Sequence, residues 1–166
     1  NPEYRLMGTD GLNLKMPEVK GAAEEPRIIV DNDGKPHVYF GVLSYRNDKW
    51  QMAIFNEQGV VSDWFEHVWA PNPIVDRENK IRAFFIAKDE KGQAVYGPDG
   101  LIHKGAENYH VHGIKTMLDG RGNICAYFSG QMPDGSWALF DRDGNEVQKG
   151  FKAMGLYELI RDNEGN

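Results

Sequence analysis

The chain has 166 residues, of which 40% are hydrophobic and 27% charged; that is one domain's length, with enough apolar side chains for a real core. Its net charge of −6, with basic residues scattered among Asp and Glu, argues against a nucleic-acid partner, whose phosphates need a basic face. No run of about 18 apolar residues is present to span a membrane as a helix.

The predicted elements follow one another as copies of a single unit. The chain opens on Arg5-Leu-Met-Gly-Thr-Asp-Gly11, a weak copy of a motif that returns as Ala53-Ile-Phe-Asn-Glu-Gln-Gly59, Ala94-Val-Tyr-Gly-Pro-Asp-Gly100 and Ala138-Leu-Phe-Asp-Arg-Asp-Gly144. A second motif, Asp31-Asn-Asp-Gly-Lys-Pro-His-Val-Tyr-Phe40, returns as Asp76-Arg-Glu-Asn-Lys-Ile-Arg-Ala-Phe-Phe85 and Asp119-Gly-Arg-Gly-Asn-Ile-Cys-Ala-Tyr-Phe128, and its first half as Asp162-Asn-Glu-Gly-Asn166. The leading aspartates are 45, 43 and 43 residues apart. Periods of this size belong to solenoids, propellers or arrays, whose units bury their apolar faces only against one another. Each copy holds short runs rich in Val, Ile, Phe and Tyr, bounded by Gly, Asn, Asp or Pro, which is the strand and hairpin signature. No stretch keeps a helical apolar stripe.

One full unit reads as four strands. In the second copy these are Pro73 to Asp76, Lys80 to Ala87, Gly92 to Tyr96 and Leu101 to Lys104, with a turn at Arg77 to Asn79. The Asp opening each first turn can bind its own backbone two residues on, and the Gly or Asn three residues later tolerates positive φ. Four short antiparallel strands in this period make a β-propeller blade. The expected fold is therefore all-β, with three full blades and half-blades at both ends, and blade repeats near 1–25, 26–70, 71–112, 113–156 and 157–166. Glu158 to Arg161 is expected to pair either with a hairpin near Tyr4 to Lys15, closing the ring, or with another chain. The absence of an initiator Met at Asn1 favours a processed or excised piece of a larger propeller.

The aligned columns suggest how the blades pack. Phe40, Phe85 and Phe128 share one column, Phe55, Tyr96 and Phe140 another, and the small Ala53, Ala94 and Ala138 a third; large residues facing small ones at fixed register are what blade-on-blade packing needs. Cys125 shares a column with His37 and Arg82, which suggests an amphipathic or edge-facing position, and reads as a structural free thiol.

Candidate chemistry lies where the first strand of each blade begins. Arg27, Asn72, Lys115 and Glu158 align there, all polar in apolar surroundings, and should ring one mouth of a central channel. The loops leading in carry Glu66-His67-Val-Trp69 and Glu107-Asn-Tyr109-His110-Val-His112. Aromatic rings that stack on a sugar's C–H face, beside Asn, Lys and His for its hydroxyls, form a carbohydrate-binding kit. The binding candidates are thus Arg27, Trp69, Asn72, Tyr109 and Lys115. The catalytic candidates are His67, His110 and His112 as acid or base, with Glu158 as the carboxylate partner. No cofactor or metal is expected, because no paired metal-ligand motif accompanies the histidines and the Asp/Gly turns lack a calcium-loop pattern.

Glu25-Pro-Arg27-Ile-Ile-Val-Asp-Asn-Asp-Gly34-Lys-Pro-His-Val-Tyr-Phe40 and Trp69-Ala-Pro-Asn-Pro-Ile-Val-Asp76 resemble the blade openings of sialidase-like and other carbohydrate-active propellers. The resemblance covers the three full blades as a style of repeat. It implies that Arg27 would grip a substrate carboxylate. The Ser-X-Asp-X-Gly-X-Thr-Trp box of that family is missing, Asp134-Gly-Ser-Trp137 being a shortened echo, and no further matching arginine stands at Asn72, Lys115 or Glu158.

The reading that follows is glycan recognition or processing at a channel mouth, with Arg27 and Lys115 clamping an anionic sugar such as a uronic acid. As an enzyme the chain would be a glycoside hydrolase or polysaccharide lyase, in an extracellular or periplasmic setting. The alternative is a non-catalytic scaffold that docks partner chains through its half-blades.

Overall fold

The structure, a computed structural model, describes Leu6–Met7, Asn13–Leu14 and residues 21–69, 71–104, 110–154 and 159. The described residues form strands, turns and bends and no helix. Strands β1 (Leu6–Met7) and β2 (Asn13–Leu14) pair as a small antiparallel hairpin, where the sequence predicts one. Tyr109, Glu158 and most of the expected closing strand lie outside the described residues.

Three antiparallel sheets follow at the sequence period. The first comprises β3 (Ala22–Val30), β4 (Pro36–Arg46), β5 (Lys49–Asn56) and β6 (Gly59–Val60). The second comprises β7 (His67–Val68), β8 (Asn72–Val75), β9 (Ile81–Asp89), β10 (Gly92–Gly97) and β11 (Gly100–Lys104), with β7 and β8 both pairing with β9. The third comprises β12 (Val111–Leu118), β13 (Ile124–Gln131), β14 (Trp137–Asp141) and β15 (Glu146–Phe151). Among the described residues no sheet closes on itself.

The predicted first-turn chemistry holds at three described copies, and the β14–β15 turn at Asp141 repeats it. The Oδ1 of Asp31 accepts the N–H of Asp33 and of Lys35, and Asp76, Asp119 and Asp141 each accept the corresponding pair. The fourth residue of each turn takes positive φ: Gly34, Asn79, Gly122 and Gly144.

Register sorts the side chains, because residues opposite one another on an antiparallel pair share a face. Tyr39, Leu43, Met52 and Ile54 lie on one face of the first sheet, here called forward, and Val38, Phe40, Val42, Ala53 and Phe55 on its back. Tyr39, Met52 and Ile54 pack on Phe85 and Ala87 of the second sheet, with Phe65 and Val68 between. The forward residues of the second sheet, Phe84, Ile86 and Val95, pack in turn on Ala126, Phe128, Ala138 and Phe140 of the third. Each interface thus joins a forward face to the next back face. Phe40, Phe85 and Phe128 are all buried in equivalent strands. Phe85 stacks on Tyr96 at 5.2 Å and Phe128 on Phe140 at 5.3 Å, as the aligned columns imply.

The first strands gather together, with β8 in contact with both β3 and β12. The last strands β6, β11 and β15 carry the exposed Val60, Leu101 and Val147. Asn79 ties the first two sheets: its Oδ1 accepts the Asn32 N–H at 2.7 Å and its Nδ2 donates to Asp33 at 2.8 Å. The Gln93 side chain accepts the Val111 N–H at 2.7 Å, tying the second sheet to the third.

Candidate functional site

The segments expected as loops ahead of the first strands are in part strand. β3 begins at Ala22, β12 begins at Val111, and β7 precedes β8 across Trp69 to Pro71. In each sheet one extra residue enters at the same place. Pairing jumps from Glu24↔Gly41 to Arg27↔Tyr39, from Val68↔Ala87 to Asn72↔Phe84, and from His112↔Ser129 to Lys115↔Tyr127. The cause is local: Pro26 and Pro71 have no N–H for the ladder, and Gly113 takes a φ of 59°. Bulges of this kind re-aim the residue that follows. Arg27, Asn72 and Lys115 are those residues.

These three stand at one register, yet their partners place them on the forward faces of their sheets. The side chains of Arg27 and Asn72 thus look toward the next sheet, and Lys115 lies on the corresponding face of the third. His67 packs against Trp69 with ring centres 4.6 Å apart, and Trp69 also packs on the core between the second and third sheets. His112 is exposed, with Trp137 at 5.5 Å and His110 at 6.0 Å. The three histidines therefore belong to two separate ring clusters on successive sheets, His67 with Trp69 and His110 and His112 with Trp137. The other two histidines have structural surroundings. His103 packs on Phe128 and Phe140, and burial pushes its pKa down. His37 is held between Asp31 and Glu57.

Among the turns at the ends of the strands, a cleft of about 490 Å³ opens between the second and third sheets. Its walls are the turns after β8 and β10 on one side and those before β13 and after β14 on the other. Phe84, Ile102 and Ile124 form an apolar lining, and three arginines reach in from the turns and strand ends. Arg82 donates from Nε to Asp76 Oδ2 at 2.9 Å, and Arg77 from Nε to Glu78 at 2.7 Å. Arg142 donates from Nη1 to the Ile124 carbonyl at 3.2 Å, with Asp143 3.5 Å from its Nε.

Asp76 is itself buried. That desolvation pushes its carboxyl pKa up, but the Arg82 bond and the backbone N–H groups of Lys80 and Glu78 outweigh it and hold the pKa below the usual range. The guanidinium of Arg82 is thus anchored through Nε, and Arg82 lines the cleft. Such a site can donate, accept and cover a C–H surface at once.

Sequence reasoning missed this cleft. Its signal is the column that pairs each turn aspartate with the residue six positions on: Asp31 with His37, Asp76 with Arg82, Asp119 with Cys125. Only the middle copy holds an arginine there. In the third copy Asn123 takes the Asp119 carboxylate instead, at 2.9 Å. Among the described residues no group of three His, Cys, Asp or Glu stands close enough to hold a metal ion.

No protein-family model and no curated protein matches the chain. Among solved structures it is similar to a fucose lectin from Kordia zhangzhouensis in complex with methyl-fucoside, at 15% sequence identity and a TM-score of 0.43, over 75% of this chain and 96% of that one.

Proposed function

We propose that the chain is a glycan-recognition module built from propeller-type blades, and that a saccharide sits in the cleft between the second and third sheets. One observation carries this reading: anchored guanidinium and carboxylate groups share a single cleft with an apolar lining. Pockets of 300 to roughly 1,000 Å³ with mainly apolar walls and a few fixed polar groups are the common form of small-ligand sites. This cleft falls in that range and is richer in charge. A pyranose ring presents the matching surface, with C–H groups on one face and hydroxyls around its edge.

Recognition is favoured over processing because the described ring contacts of His67, His110 and His112 are with aromatic and imidazole rings, which suits stacking and hydroxyl contacts. Arg27, Trp69, Asn72 and Lys115 would then form a second contact zone beside the bulges of the first strands. Propeller geometry is supported by the repeated forward-to-back packing and by the gathering of β3, β8 and β12. An extracellular or periplasmic location goes with a free glycan ligand.

The test is thermal. A ligand that binds only the native state raises the melting temperature, so a panel of simple glycosides should include some that stabilise the chain. Arg142→Ala should abolish that shift while leaving the unliganded melting temperature nearly unchanged, since Arg142 is exposed. A panel without effect, or a shift that survives Arg142→Ala, would sink the reading.

The scaffold alternative is favoured by a separate observation, the exposed Ile28 and Val30 on the back of the first sheet. It predicts a native mass in solution above that of one chain.

A further inference from the structure

We infer that the inter-sheet cleft selects a neutral, hydroxyl-rich sugar and discriminates against uronic and other acidic sugars. The inference rests on the glycan reading above and names the ligand class for that site. It replaces the anionic sugar expected from Arg27 and Lys115, which do not line the cleft.

The charge of the cleft decides the matter. Three guanidinium groups, those of Arg77, Arg82 and Arg142, face four carboxylates, those of Asp76, Glu78, Asp99 and Asp143. Each arginine already has a carboxylate beside it, at 2.7 Å, 2.9 Å and 3.5 Å. Arg82 also feels Asp99 and Glu78. A sugar carboxylate would be a fifth negative charge in a site whose cations are matched.

Capturing Arg82 for an acidic sugar would strip the buried Asp76 of its cation and leave it only the backbone N–H groups of Glu78 and Lys80. Removing one partner of a buried charged pair is costly, because the other charge stays desolvated and uncompensated. A sugar hydroxyl makes no such demand. It can donate to a carboxylate lone pair and accept from a terminal guanidinium N–H that the anchoring bond leaves over. Phe84, Ile102 and Ile124 supply the apolar surface for the ring. The overall charge of −6 also repels acidic ligands at long range.

The experiment is calorimetric titration with neutral methyl glycosides and their matched uronic acids, at low and high ionic strength, on the wild-type chain, Asp99→Asn and Arg142→Ala. Neutral glycosides should bind with an affinity that salt leaves unchanged, and the uronic acids at least about tenfold more weakly. Asp99→Asn removes one carboxylate and should narrow that gap. Arg142→Ala should abolish binding, which locates the ligand in the cleft. Uronic acids that bind as tightly as neutral sugars, with an affinity that falls as salt rises, would overturn the inference while leaving the glycan reading standing. No binding by either class would overturn both.

Discussion

Single side chains govern local conformation here in ways that can be measured. Gly144 takes a φ of 82°, and a Cβ there would lie 2.9 Å from the backbone oxygen of Ile102 in the neighbouring sheet. Gly144→Ala therefore adds left-handed strain of about 1–2 kcal/mol to a clash that no rotamer relieves. It should lower stability in chemical denaturation by at least that strain and weaken any ligand held beside Asp143. Phe128 is essentially fully buried, and Phe128→Ala should cost about 3–5 kcal/mol by the same measurement. His37 provides a pH test. Its Nδ1 lies 2.6 Å from Glu57 and its Nε2 3.0 Å from Asp31, so both nitrogens must carry protons to satisfy both carboxylates. Burial pushes the imidazole pKa down, but the two carboxylate bonds outweigh it and raise the pKa above its ordinary 6.5. The His37 bond in turn lowers Asp31, and together with backbone N–H groups it lowers Glu57 against the upward push of burial. The imidazole contribution is complete below 6.5 and fades as pH rises through the raised value. The carboxylate contributions are complete above 3.8 and 4.5 and fade as pH falls through the lowered values. Denaturation across pH should show both limbs, and His37→Gln should flatten the alkaline one.

At the level of elements, the hairpins and bulges explain how one unit is reused with different contents. The β4–β5 connection is a two-residue turn with φ of 49° at Asn47 and 62° at Asp48, the geometry that favours Asn-Gly. Asp48→Gly should therefore stabilise the chain by about 0.5–1 kcal/mol, read as a rise in the denaturation midpoint. A loss of stability would show that the aspartate side chain contributes more than its strain. Tyr45 and Trp50 flank this turn in an edge-on pair 5.4 Å apart. The bulges ahead of Arg27, Asn72 and Lys115 were hidden in the sequence because three different local causes produce them: Pro26, Pro71 and Gly113. Alignment finds the equivalent position, but only pairing reveals that the preceding residues continue the strand.

At the scale of the whole molecule, equivalent positions in the three described sheets are not equally covered. Val30, Val75 and Leu118 occupy equivalent back-face positions next to the first-strand turns. Val75 and Leu118 are half-buried, since the preceding sheet packs behind each, whereas Val30 is 55% exposed and its neighbour Ile28 54%. Val75→Ala and Leu118→Ala should then each cost about 1–2 kcal/mol, while Ile28→Ser and Val30→Ser should stay within about 0.5 kcal/mol. Equal costs at all of these positions would mean that Ile28 and Val30 are covered in solution.

The sequence by itself determined the unit, its four strands, its turns and the aromatic columns. All of these depend on interactions within a few residues or on a pattern copied at a fixed period: Asp119 needs only Arg121 and Asn123 to make its turn, and Phe128 needs only its place in the alternation to face inward. Tertiary structure alone decided where chemistry collects. The cleft gathers Asp76, Asp99 and Arg142, far apart in the chain and brought together by the stacking of one sheet on the next. It stays open there, while Asn79 ties the corresponding turns of the first two sheets together. Forward or backward orientation of Arg27, Asn72 and Lys115 was likewise undecidable before the register was known, because a one-residue bulge reverses every side chain beyond it.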